Sequence, residues 1–160
     1  MDIFSLKNKI IVVTGASGLL GKEHIEAIAS YGGTPVLIDL NQKILDEQVA
    51  LLNQKYKVNS IGYAVDITNE KEVKENCEQI ILKYSKIDGL VNNAANNPKV
   101  ENSNEVNFSR LENFPVNVWD NDLDKTKINC SECSKQLTNK NLVSNTTNWA
   151  ASIRTPTKNR

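Results

Sequence analysis

Histidine and cysteine are scarce in this chain, and each scarcity narrows the chemistry. His24 is the only histidine in 160 residues. It falls on the first expected helix, on a face read as solvent-exposed, and is not assigned as a catalytic base. The three cysteines are odd in number, which argues against a disulfide framework. Cys130 and Cys133 form a C-x-x-C with no second ligand pair, so no metal site is assigned. Formal net charge is zero, which removes the electrostatic case for a nucleic-acid or anionic-membrane partner. No stretch reaches the roughly 20 apolar residues of a membrane span, and MDIFSLKNK has no long apolar run. A cytoplasmic chain is the expectation. Glycine is also sparse, with seven residues. Three of them, Gly15, Gly18 and Gly21, follow one apolar run.

Composition changes along the chain. Through Asp124 acidic residues outnumber basic ones, 18 to 12, whereas from Lys125 onward there are 7 basic residues and 1 acidic. Every glycine lies at or before Gly89 and every tyrosine at or before Tyr84. Residues 1–124 therefore read as the folded part. Residues 125–160, rich in Asn, Thr, Ser and Lys, read as a divergent and disordered tail.

The first part alternates strand and helix. Ile10–Thr14 is a continuous β-branched run, the mark of a strand buried on both faces. Ile25, Ile28 and Ala29 give Gly21–Tyr31 a helical stripe, ended by Gly32 and Gly33. Strands are expected at Pro35–Asp39, Ser60–Val65 and Gly89–Asn92. Further helices follow from Ile44, Leu45, Val49 and Leu52, and over Asn69–Tyr84, where Asn69 and Glu72 suggest a capping box. The expected class is α/β: a Rossmann-type parallel sheet with flanking helices that stops after about four strands. Its fourth strand would then be a bare edge, open to self-association.

A buried strand running into a glycine-rich turn and then a helix can present free N–H groups to a pyrophosphate. Gly15, Ser17, Gly18, Leu19, Leu20 and Gly21 make up that candidate cradle. Asp39 ends the second strand, where a carboxylate can accept hydrogen bonds from ribose hydroxyls and repel a 2′-phosphate. NAD is therefore expected over NADP. Asn41 is better placed than Asp39 to cap the next helix.

TGASGLLG, Asp39, VDIT with Asp66, and VNNAA, in this order, resemble the short-chain dehydrogenase/reductase family over about residues 5–124. The resemblance implies hydride transfer between a nicotinamide cofactor and an alcohol or ketone. It places Asp66 and Ile67 along the adenine, and Asn92, Asn93, Ala94 and Ala95 beside the ribose nearest the nicotinamide. There are departures. The commonest form of the family's first motif has its middle glycine one place after Gly18. Asn96–Val116 is a long polar segment, and Thr126 stands where the family often has a catalytic asparagine. The family's tyrosine, with a lysine four residues on, has no counterpart: Tyr31, Tyr56, Tyr63 and Tyr84 all lack that lysine. No catalytic residue is assigned, and turnover by this chain alone is not expected. The alternative reading is a non-catalytic nucleotide-binding or interaction protein.

Overall fold

The computed structural model describes residues 4–95 and the backbone of 137–145. In chain order the elements are β1 (Ile10–Thr14), α1 (Leu19–Ser30), β2 (Thr34–Asp39), α2 (Gln42–Tyr56), β3 (Ile61–Ala64), α3 (Glu70–Tyr84), β4 (Ile87–Asn92) and β5 (Leu137–Asn145). The strands form one sheet in the order β3-β2-β1-β4-β5. All four pairings are parallel.

Alternation along the strands builds two cores. Val12 and Val36 face the same side as Ile38 and Leu90, packing with Val73, Cys77 and Ile80 of α3. Val13 and Leu37 face the other side, against Ile25, Ile28 and Ala29 of α1 and Leu45 and Leu52 of α2. Val12, Val13, Leu37, Leu45 and Ile80 are completely buried. Each such aliphatic side chain contributes about 1.5–3 kcal/mol through removal from water. Because β1 and β2 are covered on both faces, they need no polar alternation. The order reverses at β1, where the chain crosses from β3 to β4. Ligands of open parallel sheets bind outside the carboxyl ends of the strands at such a switch point.

At the opposite, amino end, one carboxylate ties β1 to β4. Asp88 Oδ2 accepts from the Ile10 N–H at 2.9 Å, and both Lys9 and Lys86 pair with the same side chain. Burial pushes the Asp88 pKa up. Hydrogen bonds from Lys86, the Ile10 N–H and Lys9 together outweigh that, so the net shift is downward.

Two expectations are corrected. The fourth strand is not a bare edge, because β5 lies beside it, with Leu90 opposite Val143 and Val91 opposite Ser144. Within the tail read as disordered, residues 137–145 are this strand. No periodicity flagged it, because its residues are mostly polar. The polar segment 96–116, Thr126, Cys130 and Cys133 lie outside the described residues. Among the described residues no helix is long and apolar enough to cross a membrane.

Candidate functional site

The turn after β1 explains two of its three glycines directly. Gly15 has φ +64°, and a Cβ there would lie 2.8 Å from the Ala94 Cα. Any other residue would be strained in this left-handed conformation and would push away the β4 turn. Gly21, inside α1, would place a Cβ 2.1 Å from the Gly15 carbonyl oxygen and 2.8 Å from the Ala16 carbonyl carbon. Its missing side chain lets the helix sit directly on the turn. Gly18 is less constrained, with a Cβ position 3.2 Å from the same oxygen.

Gly18 is also the N-cap of α1, which starts two residues before the expected Gly21. Its backbone is extended, no side chain caps the helix, and the first turn holds no acidic residue. The N–H of Lys22 is the first to bond back, to the Gly18 carbonyl. The N–H groups of Leu19, Leu20 and Gly21 precede it and have no acceptor within the helix. These donors and the helix dipole make the start of α1 suited to an anion.

Asp39 faces the same turn from the end of β2. Its Oδ2 accepts from the Ser17 N–H at 2.9 Å and its Oδ1 from the Leu40 N–H at 2.8 Å. Asp66 follows β3. Its Oδ1 accepts from both the N–H and the hydroxyl of Thr68, at 2.9 and 2.7 Å. From the β4 turn, Asn93 Nδ2 donates to the Thr14 and Gly15 carbonyls, both at 3.1 Å.

Thr14 is one residue that reading the sequence missed. Its hydroxyl oxygen accepts from the Asn93 N–H at 3.2 Å and the Ala94 N–H at 3.1 Å. The side chain is almost fully buried. One hydroxyl thus sets the separation between the glycine-rich turn and the β4 turn. The available signal was a threonine ending an otherwise aliphatic strand immediately before the glycine.

These turns enclose a cleft of about 620 Å³. Gly15, Ser17, Gly18, Leu19, Leu20, Asp39, Asp66, Ile67, Asn93, Ala94 and Ala95 all line it. Ile38, Leu40 and Val65 line it too and were not anticipated. Gly21 and Asn92 do not form its wall. Both are buried, Gly21 beneath the turn and Asn92 at the end of β4. Among the described residues, Asp39 and Asp66 are the charged ones lining the cleft, and no lysine, arginine or tyrosine lines it. The described part of the cleft therefore offers backbone donors and carboxylate acceptors.

His24 differs from the expected solvent-facing position. It is half-buried, and its Nε2 is shielded with no hydrogen-bond partner. Tyr84 is also remote from the cleft walls. Its hydroxyl donates to the Asn59 carbonyl at 2.6 Å, and burial first, then Tyr63, pushes its pKa up to about 12. Among the described residues, no three His, Cys, Asp or Glu side chains cluster as metal ligands would.

Comparison with known proteins bears on this geometry. The short chain dehydrogenase family matches residues 9–119. Post-translational flagellin modification protein A of Campylobacter coli is 36% identical over 89 residues, 56% of this chain and 35% of that protein. A probable NADP-dependent mannitol dehydrogenase of Yarrowia lipolytica is 37% identical over 94 residues, 59% of this chain and 34% of that protein. The matched stretch spans only about a third of these curated relatives. Among solved structures, NAD+-bound xylitol dehydrogenase is similar with a TM-score of 0.72 at 23% identity, covering 88% of this chain and 53% of the other. L-Sorbose reductase from Gluconobacter frateurii, complexed with NADPH and L-sorbose, gives 0.69 at 23% identity, covering 86% and 48%. These two likenesses establish the Rossmann-type fold. Between them, the two structures hold both forms of the cofactor.

Proposed function

This chain belongs to the short chain dehydrogenase family, and we propose that its cleft holds a nicotinamide adenine dinucleotide, NAD in preference to NADP. The observation that carries the proposal is the uncapped start of α1, whose cap Gly18 and first residues Leu19 and Leu20 line the cleft beside Gly15. Leu19 and Leu20 would supply backbone donors to the phosphates. Asp39 would accept from the adenosine ribose hydroxyls. Each of its oxygens already accepts one N–H and retains capacity for another donor. Leu40, Val65 and Ile67 offer an apolar wall to the adenine, with Asp66 at its edge. Asn93, Ala94 and Ala95 border the nicotinamide side.

The preference for NAD rests on charge. A 2′-phosphate would be placed near the Asp39 carboxylate, and among the described lining residues there is no lysine or arginine to compensate.

When bound, the nicotinamide supplies hydride transfer, the chemistry of the family. This chain's residues hold and orient it, and turnover by the chain alone is not part of the proposal. None of its four tyrosines has a lysine four residues on. A positioned general acid is typically worth about 10²–10⁴-fold in rate. The part proposed for these residues is holding the cofactor.

Calorimetry on the full chain tests both parts. NAD should bind at least about tenfold more tightly than NADP, a difference of ~1.4 kcal/mol, and Asp39→Ala should shrink that ratio. Equal affinities, or a ratio unmoved by Asp39→Ala, would refute the preference. Protein-dependent NADH production from a panel of alcohols and sugar alcohols, retained after repurification, would overturn the expectation of no turnover by this chain alone.

A further inference from the structure

We propose that the groove between α1 and α2 is a second ligand site, and that it takes a planar cyclic amide, with N–H and carbonyl on one edge, against the side chain of Gln48. The groove has a volume of about 620 Å³, within the range of small-molecule sites. The described residues lining it are all different from those of the cleft at the carboxyl ends of the strands. Failure of this proposal would therefore leave the nucleotide reading untouched.

Gln48 carries the argument. It is 9% exposed on α2 and lines the groove. Its Oε1 and Nε2 are both shielded from solvent, and neither has a hydrogen-bond partner among the described residues. Buried polar groups are nearly always paired, so an amide unmatched at both atoms points to a partner that is not part of the fold. Packing alone does not account for it. Gln48 falls on the same buried stripe of α2 as Leu45 and Leu52, where an aliphatic side chain would be buried without desolvating a polar group.

The amide carries a donor and an acceptor side by side. A ligand matches both at once by offering an acceptor and a donor on one edge, as a cis amide held in a ring does. The terminal torsion of glutamine is soft, so the amide can turn to face the groove. Ile25, Leu51 and Leu52 give the groove apolar wall. Leu51 is 67% exposed, and a ring lying on it would remove that surface from water. Toward the carboxyl end of α2 the two helices are tied together. Glu26 of α1 accepts from Lys55 Nζ and, at 2.7 Å, from the Tyr56 hydroxyl. These bonds fix the spacing of the helices, so the groove is formed before any ligand arrives.

The test uses the full chain labelled at its isoleucine and leucine methyl groups. The probe is 2-pyridone, and its control is N-methyl-2-pyridone, which keeps the ring and carbonyl but has no N–H. The probe should move the signals of Ile25, Leu51 and Leu52 saturably. The control should bind at least about tenfold more weakly, because it leaves the Gln48 oxygen unpaired. Equal affinities, or no binding of either compound, would overturn the proposal without any substitution. Gln48→Met keeps the side chain's length and removes both polar atoms. It should erase the preference for the probe and raise the midpoint of chemical denaturation, because the unmatched amide is gone. A preference that survives, or a lowered midpoint, would overturn the part given to Gln48. Saturating NAD should leave probe binding unchanged. Displacement by NAD would place the probe in the strand-end cleft and overturn the second site.

Discussion

Two helices start at the same end of the sheet and are finished in opposite ways. At α3, Asn69 accepts from the N–H groups of Lys71 and Glu72, and Glu70 and Glu72 add negative charge to the first turn. Glu72 also reaches back, accepting from Asn69 Nδ2 and from the Asp66 N–H. The capping box read from Asn69 and Glu72 is thus half standard. Asn69 bonds the third helical N–H, but Glu72 bonds Asp66 rather than the Asn69 backbone N–H, which instead donates to the Asp66 carbonyl. At α1 the cap is glycine, with no side-chain acceptor and no acid in the first turn. Capping typically contributes about 1 kcal/mol. An uncapped helix at a switch point forgoes that stabilisation and keeps its donors free for a ligand.

Three perturbations test this contrast, from the largest effect to the smallest. Gly21→Ala would break the open start outright. Its Cβ would meet backbone rather than a flexible side chain, so destabilisation should reach ~3 kcal/mol or more, the upper end for overpacking. Chemical denaturation measures it, and a loss under about 1 kcal/mol would mean that the turn is more pliant than the close approach implies.

The second perturbation separates charge from the open start. Asp88, 11% exposed, ties the amino ends of β1 and β4. Its folded pKa is lowered, so its contribution is fully present above the unfolded carboxylate value of about 3.9. That contribution is lost as pH falls through the unfolded value towards the folded one. Asp88→Asn should remove about 1.5–3 kcal/mol at neutral pH, the range for hydrogen bonds to a charged group. It should also flatten the acid limb of the stability profile, while the ratio of NAD to NADP affinity stays the same. An acid limb as steep as that of the unaltered chain would show that another carboxylate governs it.

The smallest effects come from exchanging the two starts. Asn69→Ala should destabilise by about 1 kcal/mol and leave NAD affinity unchanged. Gly18→Ser would give α1 the cap it lacks. Stability should change by only a few tenths of a kcal/mol, yet NAD binding should weaken at least about tenfold because a hydroxyl would compete for the phosphate's donors. Unweakened binding in Gly18→Ser would argue that the pyrophosphate does not lie at this helix start.

What the sequence alone determined is what short stretches encode. The β-branched run Ile10–Thr14, the stripe Ile25, Ile28 and Ala29, and the turn glycines specify a strand, turn and helix from neighbours within a few residues. The same holds for Asp39 at the end of β2 and Asn69 before α3. Alternation and the right-handed crossover rule then order the first four strands. Only the tertiary structure decided the contacts between distant residues. Thr14 meets Asn93 and Ala94 across some eighty positions of chain, and no local period marks such a pair. The severity of Gly21's constraint depends on where the Gly15 carbonyl lies once the turn has closed. His24 is half-buried although it lies off the apolar stripe of α1 and was read as solvent-facing. β5 shows the principle most plainly. Its polar residues carry little strand signal of their own, and it forms because β4 presents unpaired N–H and C=O groups that must find partners.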